Sequence, residues 1–178
     1  MWVFGYGSLM WDGWESAHGC LRREKAVLNG FSRCFGHLSV HNWGSSDAPC
    51  PTLSLRSGGR CVGLAFEFPD TEHERIVRSL RDREGAHFCI EPHPVTLDAG
   101  PTVMAYVARP REEPPVADHE TLERYARFAA RAVGRNGRCR DYVERAHEAL
   151  VALGIHDPEV ESFWQRVSAC LGQSDEER

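Results

Sequence analysis

The chain has 178 residues, with 21 Lys and Arg against 26 Asp and Glu, a formal net charge of −5. That length can bury one full core without disulfides or metal, and the acidic balance argues against a nucleic-acid protein, because phosphate binding needs a surplus of Lys and Arg. No stretch approaches the roughly 18 apolar residues of a membrane-spanning helix. The first residues, Met1-Trp2-Val3-Phe4-Gly5-Tyr6-Gly7-Ser8, lack the basic and apolar regions of a signal peptide. A short strand, Trp2-Val3-Phe4, is stopped by Gly5 and Gly7. Thr52–Leu55 alternates in strand fashion, Gly58-Gly59 predicts a hairpin turn, and Cys61–Phe68 resumes the strand. A helix follows, with Thr71 and Glu74 at capping-box spacing, Ile76, Val77 and Leu80 on its apolar face, and an end near Arg83–Gly85. Strand patterns return at His87–Leu97, broken by Pro92 and Pro94, and at Thr102–Ala108.

The proline-rich segment Arg109–Ala117 reads as a linker or loop, and the pattern then turns helical. Asp118 can cap a helix bearing Leu122, Tyr125, Phe128, Ala129, Ala132 and Val133 that closes at Gly134. A second helix is expected from about Arg140 to Leu153, stopped by Gly154. Asp157-Pro158 opens a third, with Val160, Phe163, Trp164 and Val167 inward. The fold class is α+β: a mixed or closed sheet with one inserted helix and a helical C-terminal third. One domain is expected over residues 1–172, followed by a polar tail at 173–178. Seven cysteines, none closer than eleven residues to the next, form no CxxC pair. They read as reduced thiols, mostly small core residues, in a cytoplasmic protein.

Several places could carry chemistry. Phe4-Gly5-Tyr6-Gly7-Ser8-Leu9 takes a strand into a glycine-spaced turn. Such a turn can offer successive backbone N–H groups to an anion, or it can be a plain tight turn. Met10 stands where a dinucleotide fingerprint needs its third glycine. Glu84 sits at the expected helix end behind Arg81, Asp82 and Arg83. It is either one more solvated charge or, facing the negative end of the helix dipole, a carboxyl of raised pKa suited to general acid/base work. His37 and His41 have i, i+4 spacing without a helical pattern. His87, Glu91 and His93 share a strand face that could hold a metal or simply be polar. Ser8 has no nucleophile elbow around it.

Trp2-Val3-Phe4-Gly5-Tyr6-Gly7-Ser8-Leu9-Met10-Trp11 closely resembles the opening of ChaC-type γ-glutamylcyclotransferases, the glutathione-specific branch of the γ-glutamylcyclotransferase-like superfamily. Gly30–Phe35 is similar to that family's aromatic–Arg–Phe segment, Cys61–Phe66 to its C-x-G-x-A-aromatic strand, and Leu80–Glu84 to its segment with the catalytic Glu. Gly134–Gly137, Asp141–Val143 and Leu153–Pro158 resemble its C-terminal helical region, so the likeness spans about residues 2–170. The resemblance implies a small mixed β-barrel with surrounding helices, no metal and no organic cofactor. The implied reaction turns a γ-glutamyl compound, glutathione in that family, into 5-oxoproline, with cysteinylglycine as the other product. Glu84 would be the acid/base. The Tyr6, Gly7, Ser8 and Leu9 backbone, led into by Val3, Phe4 and Gly5, would hold the oxyanion and carboxylate. Arg33 would hold a substrate carboxylate or serve as a structural ion-pair partner; Tyr142 would line the pocket or fill a core.

Two segments depart from the family pattern. His41-Asn42-Trp43-Gly44 stands where the family often has His-Arg-Gly, and Gly85-Ala86-His87-Phe88 where a Gly-Tyr pair usually follows the Glu. The substrate is therefore either glutathione or another γ-glutamyl amine or dipeptide, with a non-catalytic binding module of the same fold as the contrasting reading. No membrane or nucleic-acid partner is expected, and the oligomeric state is not readable.

Overall fold

The structure, a computed structural model, describes residues 1–176, with side chains through residue 172. Five strands close a barrel in the order β1-β3-β2-β4-β5. These are β1 (Trp2–Gly5), β2 (Arg22–Ser39), β3 (Cys50–Glu67), β4 (Phe88–Leu97) and β5 (Thr102–Pro110). β1 pairs antiparallel with β3 (Trp2↔Glu67, Gly5↔Leu64) and parallel with β5 (Trp2↔Ala105, Phe4↔Val107). The chain divides into two compact units, one of residues 1–33 and 55–113, the other of 34–54 and 114–178. The last of the three boundaries, after residue 113, falls in the proline-rich segment.

The first unit holds the N-terminal strand, most of the barrel and α2 (His73–Glu84). Val3, Phe4, Leu28, Leu64, Phe66, Ile76, Leu80, Val95 and Val107 are each at most 2% exposed and make its core. Helix α2 buries Ile76, Val77 and Leu80 as expected, but its capping box does not form. Thr71 lies in a 3₁₀ turn (Asp70–Glu72), and the helix starts one residue later, with Glu72 at its N-cap and no side-chain cap bond. The Gly58-Gly59 hairpin is also corrected, since β3 runs straight through both residues at φ +94° and +78°. Left-handed glycines inside a strand bend it rather than reverse it. The reversal between β2 and β3 falls instead at residues 40–49. β4 is one continuous strand despite Pro92 and Pro94. Both prolines lie opposite β5, with β2 pairing from Val95 onward (Leu28↔Val95, Ala26↔Leu97). Two prolines two residues apart turn their missing N–H groups to the same side, which a stretch unpaired on that side tolerates.

The second unit holds α3 (His119–Arg131), α4 (Cys139–Ala152) and α5 (Pro158–Glu176). Asp118 caps α3 as read, accepting from Thr121 N at 2.8 Å. That helix does not reach Gly134. It stops at Arg131, and a small hairpin of β6 (Val133–Gly134) and β7 (Gly137–Arg138) leads into α4, leaving Val133 59% exposed rather than inward. The inward side of α3 is Ala126 and Ala129, followed by Ala132 just past its end. Leu153-Gly154 ends α4 as expected, with Gly154 at φ +64°. Phe163 of α5 stacks on Phe35 with centroids 4.0 Å apart. Helix α5 continues to Glu176, through most of the expected polar tail; residues 177 and 178 lie outside the described residues.

The cysteines are not all reduced thiols. Cys50 and Cys139 form a disulfide, with Cα atoms 5.5 Å apart and a sequence separation of 89. The fold brings the start of β3 beside the start of α4, which no local spacing could announce. Of the free cysteines, Cys34 and Cys61 are buried core residues; Cys20, Cys89 and Cys170 are only partly buried.

Candidate active site

Three sequence segments converge on the turn that follows β1, all in the first unit. The backbone of β3 passes so close that a Cβ on Gly63 would lie 2.3 Å from the Gly5 carbonyl oxygen. Only glycine allows that approach. One residue earlier, the Val62 carbonyl accepts from Arg33 Nη2 at 2.6 Å, while Arg33 Nε donates to the Tyr6 carbonyl at 2.7 Å. Arg33 is 3% exposed, and its Nη2 also reaches the Met10 sulfur at 3.5 Å. Its guanidinium clamps two backbone carbonyls. In a trans peptide C=O and N–H point opposite ways. Fixing the Tyr6 carbonyl on Arg33 therefore turns the Gly7 N–H to the other side of the chain. Val3, Phe4, Tyr6 and Leu9 are buried beneath the turn, which closes as a 3₁₀ turn (Ser8–Met10) with Met10 N donating to the Gly7 carbonyl at 2.9 Å.

Glu84 is the last residue of α2, and Gly85 ends the helix at φ +75°, its N–H donating to the Arg81 carbonyl at 2.9 Å. Burial raises the Glu84 carboxyl above its ordinary range; the Arg83 guanidinium opposes this and the Asp12 carboxylate adds to it. Arg83 Nε lies 3.4 Å from Glu84 Oε1, and Arg83 Nη2 donates to Ser8 Oγ at 2.6 Å and to the Asp12 carboxylate. The acid/base candidate and the glycine turn, expected to meet, are thus joined through one guanidinium.

Arg83 and Asp12 were not singled out from the sequence, where Arg83 reads as part of a solvated charge run. The available signal was periodic. Arg75, Ser79 and Arg83, four residues apart along α2, share one face, and all three bond residues 8–18. The short helix α1 (Trp14–Ala17) lies in that stretch. Ser79 Oγ accepts from Trp14 Nε1 at 3.2 Å and meets His18 Nε2 at 3.1 Å. Arg75 Nη1 is 3.0 Å from His18 Nδ1. An arginine on Nδ1 makes that nitrogen the acceptor and leaves Nε2–H to donate to Ser79. Desolvation, then the Arg75 charge, lowers the His18 pKa, in keeping with a neutral ring.

Tyr142 belongs to the second unit, is 4% exposed, accepts from Leu53 N at 3.0 Å and packs on Trp43 at 5.3 Å. The departing segment 41–44 is strapped to the β6–β7 hairpin, with Arg135 N donating to the His41 carbonyl and Asn136 N to that of Asn42. A Cβ on Gly44 would lie 2.4 Å from Cys50 N, and one on Gly134 2.5 Å from Gly44 N. Glu91 and His93 are spent on Arg109, which donates to Glu91 Oε2 at 2.8 Å and to His93 Nε2 at 3.2 Å. No group of three metal-ligating side chains occurs among the described residues.

The chain is 29% identical to the glutathione-specific gamma-glutamylcyclotransferase of Escherichia coli K12 over 179 residues, 98% of this chain and 75% of that protein. It is 30% identical to gamma-glutamylcyclotransferase 2-3 of Arabidopsis thaliana, over 99% of this chain and 92% of that one. Two crystal structures of a gamma-glutamyl cyclotransferase specific to glutathione from yeast share the fold, with TM-scores of 0.84 and 0.81 and identities of 16% and 15%. The first covers 96% of both chains, the second 96% of this chain and 99% of that one. A family model described as ChaC-like protein matches residues 1–170, and the chain belongs to that family.

Proposed function

We propose that this chain is a γ-glutamylcyclotransferase acting on glutathione. The α-amino nitrogen of the γ-glutamyl group attacks its own γ-carbonyl carbon. The new C–N bond closes a five-membered ring, the amide bond to cysteine breaks, and 5-oxoproline and cysteinylglycine leave. The nucleophile belongs to the substrate, so its effective concentration is high without a protein nucleophile. Two tasks fall to the chain. Glu84 takes a proton from the α-ammonium and delivers one to the departing amine nitrogen; a carboxyl raised toward neutral pH suits both transfers. Backbone N–H groups of Tyr6–Leu9 meet the substrate carboxylate and the oxyanion that develops on the γ-carbonyl oxygen. Val3–Gly5 fix the turn from below, and Arg33 shapes it from behind. Tyr142 is placed in this reading as a core tyrosine of its unit.

The observation that carries the reading is the meeting of a desolvated carboxyl at a helix C-terminus with the glycine turn, through Arg83. The names of the relatives support glutathione as substrate. A cytoplasmic location belongs to the same proposal. The Cys50–Cys139 bridge is unusual for a reducing compartment, but both residues are 0% exposed and closed to attack by a thiol.

The test incubates purified protein with glutathione and a panel of γ-glutamyl amines and dipeptides and measures 5-oxoproline. Release from glutathione above the rest of the panel supports the full reading. Release from another member alone moves the substrate and keeps the chemistry, and no release from any overturns it. Glu84→Gln should lower kcat by about 10²- to 10⁴-fold with the circular dichroism spectrum unchanged.

A further inference from the structure

Resting on the reading of Glu84 as the acid/base, we propose that Arg83 and Asp12 act together as positioning residues for it, holding its carboxyl in register with the glycine turn. Arg83 touches both halves of the site. Its Nη2 donates to Ser8 Oγ at 2.6 Å and to Asp12, while its Nε stands 3.4 Å from Glu84 Oε1. The side chains of Arg83 and Asp12 are each 28% exposed, and that of Glu84 22%, so all three border solvent without being freely solvated.

The docking of α2 explains why the arginine holds its place. Arg75 and Ser79 bind the His18 and Trp14 side chains one and two turns back along the same face. Residues 8–18 are thus fastened along α2, and Asp12 meets Arg83 at the end of that line. A guanidinium with donors in a fixed fork can serve several acceptors at once, which a lysine ammonium does less well. Asp12 also sets the balance. With Asp12 engaged, the arginine charge is shared and Glu84 is not drawn into a full ion pair. An acid/base locked in such a pair would be held ionised and unable to return its proton.

The charged groups around Glu84 are Arg83 on its own helix and Asp12 from the turn segment. On β4 and β5, against which α2 packs, Glu91 and Arg109 are paired with each other and His93 accepts from Arg109. His73 of α2 bonds the Tyr106 hydroxyl at 2.7 Å. Changes at Arg83 and Asp12 should therefore reach Glu84 with opposite sign.

The experiment measures pH profiles of kcat and KM for glutathione turnover by Arg83→Met, Arg83→Lys, Asp12→Asn and Glu84→Gln, with melting temperatures alongside. Arg83→Met should lose about 10- to 100-fold in kcat with a smaller change in KM, and its acidic limb should move to higher pH. Asp12→Asn should move that limb to lower pH. Arg83→Lys, which keeps the charge, should keep the limb near its wild-type position and recover part of kcat. Limbs that stay put, or that shift the same way in Arg83→Met and Asp12→Asn while melting temperatures fall, overturn the positioning role. Should Arg83→Met fail to fold, the comparison of Asp12→Asn with Arg83→Lys decides it. A Glu84→Gln variant of full activity overturns the underlying reading instead. An inactive one with unmoved limbs in the other variants leaves that reading standing and removes this inference alone.

Discussion

Opening the Cys50–Cys139 bridge should destabilise the protein by several kcal/mol. The bridge spans 89 residues of sequence, so in the unfolded chain it closes a loop of that size, and loop-closure entropy sets its contribution at about 4.6 kcal/mol at 25 °C. With a urea slope of about 2 kcal/mol/M, the unfolding midpoint should drop by about 2 M. Both residues are fully buried, so the reduced arm is unfolded in reductant and refolded before measurement. Circular dichroism then follows urea unfolding of the oxidised protein, the reduced protein and Cys50→Ala/Cys139→Ala. The double variant should fall at least as far as the reduced protein, because it also removes two buried sulfurs. A thiol titration in denaturant without reductant checks the premise. It should find five reactive thiols of the seven cysteines, those of Cys20, Cys34, Cys61, Cys89 and Cys170. Seven thiols would refute the bridge, and an unchanged midpoint on reduction would refute the entropic reasoning.

Three further outcomes follow from the first unit. Because Glu84's carboxyl is raised in the fold, the unfolded chain ionises first as pH climbs past the ordinary carboxyl range, and stability is lost over that climb. Glu84→Gln removes the loss, so it should melt higher than wild type at pH 7 and equal to it near pH 4; a lower melting temperature at pH 7 would contradict the burial of a charged group. Gly63→Ala places a methyl 2.3 Å from the Gly5 carbonyl oxygen, and the strain should lower stability by about 1–3 kcal/mol and raise KM by moving the turn, as read by urea unfolding and kinetics. The lowered His18 pKa means the unfolded chain takes up the proton first as pH falls below about 6.5, so stability should decline through that range. His18→Gln should flatten part of the decline in melting temperature between pH 7 and pH 5, and an undiminished slope would sink the assignment.

Much of this architecture was legible because it is local. Strand runs, the Asp118 cap, the Asp157-Pro158 start and the Gly154 stop depend on neighbours in sequence, and each was found close to its expected place. The misreadings share a different cause. Gly58-Gly59 has the composition of a hairpin, but whether two left-handed residues turn a chain or bend it depends on what β1 and β2 do on either side. Pro92 and Pro94 break a strand only where a partner needs their N–H groups. Cys50 and Cys139 are paired by the meeting of β3 and α4. The thiol reading rested on spacing and had no access to that meeting.

The candidate site was legible in a second way, through residue types whose reason is three-dimensional. Gly63, Arg33 and Arg83 come from separate segments, and from the sequence they read as a strand glycine, a carboxylate holder or ion-pair partner, and a solvated charge. Each acts on the same few atoms: Gly63 admits the Gly5 carbonyl, Arg33 holds that of Tyr6, and Arg83 binds the Ser8 hydroxyl. In the proposed reaction the substrate brings its own nucleophile, so little can be gained from protein chemistry beyond one proton carrier. What remains is to fix where the carbonyl oxygen and carboxylate sit relative to that carrier, because a small error in placement costs orders of magnitude in rate. A turn held at Gly5, Tyr6 and Ser8, and tied by the last of these to the helix that ends in Glu84, answers that demand.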